Sequence, residues 1–191
     1  MPCMPTNTLD VLHGRRSIRQ FTTREVPRAD VETILGAAVA APNHRLTQPW
    51  RFYVLGAEAR HAYGLALGNR KAKKIEDAVA ADTMRNNVAK EHAALPLMII
   101  VAMTEDANLE IREEDASATM MAIQNLSIAA VALGLGTHIK TGAVMQDPAA
   151  RAAAGVPEGQ RIVAVINLGE PATVPPAKER KSAESLTTWL P

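Results

Sequence analysis

The chain has one cysteine, Cys3, in 191 residues. No internal disulfide can form, and a reducing, cytoplasmic compartment is expected. Net charge is almost as scarce. The 21 Lys and Arg against 20 Asp and Glu leave a formal +1, which gives no electrostatic reason for a nucleic-acid or membrane-surface partner. Aromatics are only 3% of the residues, so Ala, Val, Ile, Leu and Met must fill the core, and side chains that small imply closely packed helices. The opening "MPCMPTNTLD" has neither a basic n-region nor an apolar h-region, and no signal peptide is read there. The five histidines (His13, His44, His61, His92 and His138) stand far apart, without H-x-x-x-H or C-x-x-C spacing, so no metal site is expected. There is no G-x-S-x-G elbow. Cys3 has no neighbouring motif, and Glu113-Glu114-Asp115 reads as charge at a helix start. No acid/base or nucleophile apparatus is visible.

What is there is an ordinary globular composition, 47% hydrophobic, long enough for one domain over residues 1–191. Residues 8–13 read as a short helix ended by Gly14, and "RRSIRQF" follows as extended or irregular chain. A helix opens at Pro27 and Asp30 and stops at Pro42. "RFYVLG" reads as a strand, residues 57–68 and 72–92 as helices, and "LPLMIIVAMT" as a buried strand. The run from Asp115 to Leu133 is apolar nearly all round, the pattern of a buried or a membrane-spanning helix. Gln124 and Asn125 in its middle, Asp115 at its start and the lack of a second such run favour a buried central helix, ended by Gly134 and Gly136. A short helix at 148–154 and a strand at 161–169 follow. The tail from about residue 170 is irregular but offers Leu186, Trp189 and Leu190 for docking on the domain or on a partner.

Two stretches could hold an anion. In "GRRSIRQF", Arg15, Ser17 and Arg19 share one side of an extended segment, and guanidinium forks match phosphate oxygens. The alternative is a solvated basic loop. "LGLGTHIKTGAV" carries Lys140 and Thr141 among glycines. It is neither a P-loop nor a dinucleotide fingerprint, because its order and its place after a helix are wrong for both. A plain helix C-cap and turn is the alternative there. Anion donors without catalytic residues suit an enzyme whose reactive group is a bound cofactor.

The order of the pieces resembles the FMN-dependent nitroreductase family, in its small, compact branch. "RRSIRQF", "AAPNHRLTQPWRFYVL", "TMMAIQNLSIAAVALGLGT", "IKTGAV" and "VINLGEP" carry the resemblance over most of the chain. It implies an α+β sandwich with a mixed sheet of four or five strands flanked by helices, and an intertwined homodimer with FMN in the interface cleft. By position, Arg15, Arg16 and Ser17 would hold the phosphate and pyrimidine ends. Arg19 would lie close to the ring as a flavin-edge donor. His44 would come from the partner chain. Lys140 and Thr141, with the Ile139 backbone, would complete the phosphate side. Trp50 would be a packing anchor. Ile139-Lys140 stands where close members often carry an aromatic-Arg pair, which leaves substrate preference open. The implied reaction passes hydride from NAD(P)H through the flavin to an acceptor such as a nitroaromatic or quinone, in ping-pong order. A specialised flavin enzyme (flavin fragmentation, dehalogenation) and a non-catalytic flavin-binding protein are the alternatives.

Overall fold

The computed structural model describes residues 7–191; Cys3 lies outside the described residues. Four strands form one sheet in the order β1-β2-β4-β3: β1 is Trp50–Leu55, β2 Leu97–Thr104, β3 Gly136–Lys140 and β4 Gln160–Gly169. All three ladders are antiparallel. The expected mixed character is confined to the sheet's edge, where Ser17 forms a single parallel bridge to Thr137 of β3.

β2 reads as an unbroken apolar run because both faces of the sheet are covered. On one face Ile99, Val101, Ala164, Ile166 and Leu168 pack against α2 (Arg28–Val39) and α5 (Leu109–Ala132). On the other, Met98, Ile100, Ala102, Ile162 and Val165 pack against α3 (Ala57–Ala72) and α6 (Pro148–Ala153). Trp50 is buried in the first cluster, an anchor as expected. The remaining helices are α1 (Thr8–Gly14) and α4 (Ala78–Ala93), the latter lying on α3.

The central helix differs from expectation in two ways. It begins six residues earlier, at Leu109, because the Asn108 side chain caps it by accepting from the Glu110 N–H at 2.9 Å. Its first turns are charged and largely solvated, with Leu109 exposed, and carry no continuous apolar stripe. Asp115 is therefore inside the helix, buried, and it accepts a hydrogen bond from Thr47 Oγ1. Secondly, α5 is buried on one side only: Ala118, Ala122, Ile123 and Leu126 face the sheet, whereas Met120, Met121 and Leu133 are exposed. Polar residues on its buried side bond back to the helix, Thr119 Oγ1 to the Asp115 carbonyl at 2.8 Å and Ser127 Oγ to the Ile123 carbonyl at 2.9 Å. Gly134, at φ 74°, ends it in a Schellman arrangement, with the Leu135 N–H donating to the Ala130 carbonyl at 2.8 Å.

α3 runs on to Ala72 and α4 starts only after Asp77, whose carboxylate accepts from the Ala80 N–H at 2.6 Å; the break expected near residue 70 falls later because Gly68 is a packing residue and not a helix end. A Cβ at Gly64 would meet His92 Cβ at 2.8 Å and Ala89 Cα at 2.9 Å, and one at Gly68 would meet Arg85 Cα at 2.9 Å. These two glycines, one turn apart, let the helices touch backbone to backbone.

His92 sits at this contact. Its Nδ1 lies 2.8 Å from the Val88 carbonyl, and its Nε2 is buried without a partner among the described residues. Burial above all, then Lys140 and Lys71, pushes its pKa below the usual 6.5, against the opposing pull of the Val88 carbonyl and Glu91. The unfolded chain therefore takes up this proton first as pH falls, so the folded state loses stability below about pH 6.5. Urea unfolding at pH 7.5 and 5.5 is expected to give the lower stability at pH 5.5. A His92→Met chain, of similar volume but with no proton to take up, is expected to show a smaller difference by up to about 1.4 kcal/mol per pH unit.

Candidate functional site

The sheet ends on β3, and the chain entering from α1 covers that edge. Ile18 N–H donates to the Thr137 carbonyl at 2.9 Å. Ile18 is buried, while Ser17 and Arg19 point outward, as the alternation of an extended segment requires. The approach depends on Gly136: a Cβ there would fall inside the Ile18 side chain and 3.2 Å from Pro171 Cγ. The start of the tail lies alongside. Phe21 bridges Pro171, Thr22 N–H donates to the Glu170 carbonyl at 2.9 Å, and Ala172 N–H to the Gln20 carbonyl at 3.0 Å. The Glu170 carboxylate accepts from Thr22 Oγ1 at 2.8 Å and from Arg24 Nη1 at 3.1 Å, and these two hydrogen bonds, Thr22's foremost, hold its pKa below the usual carboxylate range.

Between segment 12–20, β3 and the tail opens a cavity of about 950 Å³, within the usual range for small-molecule sites. Arg15, Arg16, Ser17 and Arg19 line it from one side, His138 and Ile139 from β3, and Lys178 and Arg180 from the tail. Among the described residues, five cationic side chains thus face one space with no carboxylate in its lining. Arg16 is partly committed: its Nη1 donates to the His13 carbonyl at 2.6 Å and to the Arg15 carbonyl at 3.0 Å, which fixes the turn out of α1. The tail pair was missed in the sequence. The available signal was Lys178-x-Arg180 after Pro175-Pro176, two cations on one side of a stiffened extended chain.

The other expected residues lie elsewhere. Along β3, Ile139 pairs with Ile166 and packs on the α5 face, whereas His138 and Lys140 pair with Asn167 and Val165 and so project to the α3 side. Lys140 is half-buried there, and its pKa is lowered by burial first and then by Lys71. Neither Lys140 nor the exposed Thr141 lines the cavity of the arginines.

His44 is exposed and does not line the cavity of its own chain. Its loop is held firmly on both sides of it. Asn43 Oδ1 accepts from the Gln48 N–H at 2.7 Å, Arg45 donates to Glu114 at 2.8 Å and to Glu110 at 3.3 Å, and Thr47 donates to Asp115. Leu46 (φ 52°) and Gln48 (φ 46°) sit in left-handed backbone, a conformation the anchors on both sides maintain.

The sequence pattern of the Nitroreductase family matches residues 12–170. The chain belongs to the Nitroreductase family. A relative from Bacillus subtilis (strain 168), YfhC, provisionally named an NAD(P)H nitroreductase, is 33% identical over 171 residues, 90% of this chain and 88% of the relative. A nitroreductase-like family protein from Bacillus cereus superposes with a TM-score of 0.84 at 27% identity, covering 100% of this chain and 99% of that one. A Desulfovibrio desulfuricans protein solved in complex with FMN gives 0.73 at 26% identity, covering 98% of each chain. The α+β fold expected from the resemblance is the fold of this family.

Gly136 is the point on which this family member's cation array rests. Gly136→Ala is expected to cost about 1–3 kcal/mol in urea unfolding, the usual penalty for overpacking. It should also loosen the Ile18–Thr137 hydrogen bond, raising hydrogen exchange at the Ile18 amide while amides in β2 stay protected.

Proposed function

We propose that this protein is an FMN-dependent oxidoreductase that takes reducing equivalents from NAD(P)H and delivers them to a small acceptor such as a nitroaromatic or quinone. The observation that carries the reading is the cavity with five cationic side chains and no carboxylate. Such a lining is self-repelling unless a ligand brings negative charge. The residues present fit a terminal phosphate: guanidinium forks at Arg15 and Arg19, a hydroxyl at Ser17, and Lys178 and Arg180 opposite. Membership of the family, the nitroreductase name of YfhC and the FMN complex of the Desulfovibrio relative support the choice of cofactor and reaction.

When bound, FMN supplies the redox chemistry, accepting hydride from the reduced nicotinamide and passing electrons on, one substrate after the other in the same place. The chain's part is to bind and orient. Arg15, Arg16 and Ser17 hold the phosphate side together with Lys178 and Arg180, and Arg19, next along the same side of the segment, donates toward the ring. Ile139 gives an apolar wall. Thr141 and the Ile139 backbone lie at the far end of β3.

The assembly is a homodimer in this reading. Met120, Met121 and Leu133 on α5, and Leu186, Trp189 and Leu190 on the tail, are exposed apolar side chains that a second copy would cover. His44, exposed in its own chain on an anchored loop, would then serve the partner's flavin.

Purified protein is expected to bind FMN and to bleach it on adding NAD(P)H. Arg15→Ala should weaken FMN by about 1.5–3 kcal/mol, the range for a charge-assisted hydrogen bond. Lys178→Ala should weaken it less, by up to about tenfold, and its effect should shrink with added salt because that side chain is exposed. Both are read by titrating flavin fluorescence; no FMN binding by the wild-type chain would refute the reading. A mixed dimer of Arg15→Ala and His44→Ala chains tests the shared site. One normal FMN site per heterodimer is expected, and none if both residues serve their own chain's flavin.

A further inference from the structure

We propose that the end of α3 and the start of α4 form a second binding site, for a small amphipathic anion: an apolar body carrying a phosphate-like head. A cavity of about 740 Å³ opens there, within the usual range for small-molecule sites. Arg70, Lys71, Lys73 and Lys74 line it from the end of α3, and Met84 from α4. Leu67 and, from the turn that follows β3, Val144 add apolar lining. None of these residues lines the arginine cavity, which takes His138 and Ile139 from β3 before the strand ends.

Packing fixes both walls. Gly68 lets α4 come down on α3, since a Cβ there would meet Arg85 Cα at 2.9 Å. That contact sets Met84, the neighbour of Arg85, beside the end of α3, where it stays 36% exposed. On the other wall, Ala72 is buried, and its carbonyl accepts from the Ile75 N–H at 2.9 Å. This turn winds Lys73 and Lys74 back against the helix end.

The charge there is poorly balanced. Asp147 lies 3.7 Å from Arg70, but its Oδ1 already accepts from the Ala149 and Ala150 N–H groups at the start of α6. Among the described residues, Lys71, Lys73 and Lys74 have no ion-pair partner. Lys140, half-buried at the end of β3, stands close enough for Lys71 to add to the lowering of its pKa by burial, with Glu91 opposing. Basic residues in a last helical turn complement the helix dipole, which accounts for Arg70 and Lys71. It does not account for Lys73 and Lys74 beyond Ala72, nor for the apolar side chains that share the cavity. Exposed lysines beside half-buried Leu67 and Val144 match a ligand of the same two parts. Charge draws the head, and the body leaves water. A bare anion would leave Leu67, Met84 and Val144 wet, and a neutral apolar ligand would leave the lysines repelling one another.

The test titrates 1-naphthyl phosphate into the full-length protein by calorimetry, with FMN in excess to occupy the arginine cavity. One saturable site per chain is expected. Inorganic phosphate and 1-naphthol, the two halves of the probe, should each bind at least about tenfold more weakly. The paired substitution Lys71→Ala with Lys74→Ala, both at exposed positions, should weaken 1-naphthyl phosphate by about tenfold or more and leave FMN binding unchanged. Met84→Gln should weaken the naphthyl probe and not inorganic phosphate. Arg15→Ala should leave the affinity of this site unchanged, which keeps the result independent of the flavin reading. An affinity unmoved by the paired lysine substitution, inorganic phosphate bound as tightly as the naphthyl probe, or no saturable heat overturns the proposal. Co-sedimentation with phosphatidylglycerol vesicles but no binding of 1-naphthyl phosphate also overturns it, and gives the lysines to a lipid surface instead.

Discussion

One backbone hydrogen bond, from the Ile18 N–H to the Thr137 carbonyl at 2.9 Å, decides whether this molecule has a site. It converts a basic stretch into a cationic array by fixing which residues face inward. With Ile18 buried against the sheet edge, Ser17 and Arg19 must turn out, and Arg15 follows on the same side. The bond can form because position 136 has no side chain where Ile18 and Pro171 arrive. The same edge of β3 is what a fifth strand or a second molecule would otherwise pair with, so covering it also limits edge-to-edge association. Placing the cationic segment on an open sheet edge therefore solves two problems with a single contact.

The scarcity of aromatic residues shapes the rest. With 3% aromatics, the core cannot rely on large rings and relies on close approach. Gly64 and Gly68 bring α3 onto α4 at backbone distance, and Ala118, Ala122 and Ala130 do similar work for α5. Close approach leaves little room for polar atoms, which explains the state of the few that are inside. His92 keeps one ring nitrogen on the Val88 carbonyl and holds the other dry. Tyr63, 6.2 Å away ring to ring, has a hydroxyl without a partner among the described residues, and its pKa is raised to about 12 by burial and by Asp147. These groups are neutral and embedded, and they face α3 and α4, not the arginines.

Much of this was legible in the sequence because local chemistry governs it. The alternation at residues 15–19 follows from the period-two pattern of an extended segment and β2 from a continuous apolar run, neither overridden by tertiary structure, while the anchoring role of Trp50 came with the family resemblance. The early start of α5 was hidden because the charged first turns, with Leu109 exposed, lack the near-continuous apolar run of the rest of the helix. The antiparallel ladders and the one-sided burial of α5 depend on which strands and which chains become neighbours, information no single segment holds. Lys178 and Arg180 lie roughly 160 residues from the arginines they face, in a stretch whose composition reads as a loose tail. The residues that sequence patterns mark are those that fold the site's pieces, whereas those that complete it are marked only by assembly.

The tail joins two events that are usually treated separately. Lys178 and Arg180 line the cavity, and six to twelve residues later the same segment carries Leu186, Trp189 and Leu190, all exposed in the single chain. In the proposed dimer, covering those apolar side chains pins the tail, and a pinned tail has already lost the conformational freedom that holding a phosphate would otherwise cost. The converse follows by linkage: a phosphate that orders Lys178 and Arg180 also limits where Trp189 can reach, and the two binding free energies must favour each other by the same amount. An ordinary surface loop supplying the cations would carry no such coupling. Cofactor affinity in this arrangement depends on protein concentration through the dimer equilibrium, and the dimer is tighter with the cofactor present, the tail adding its coupling to that of the His44 loop in the shared site.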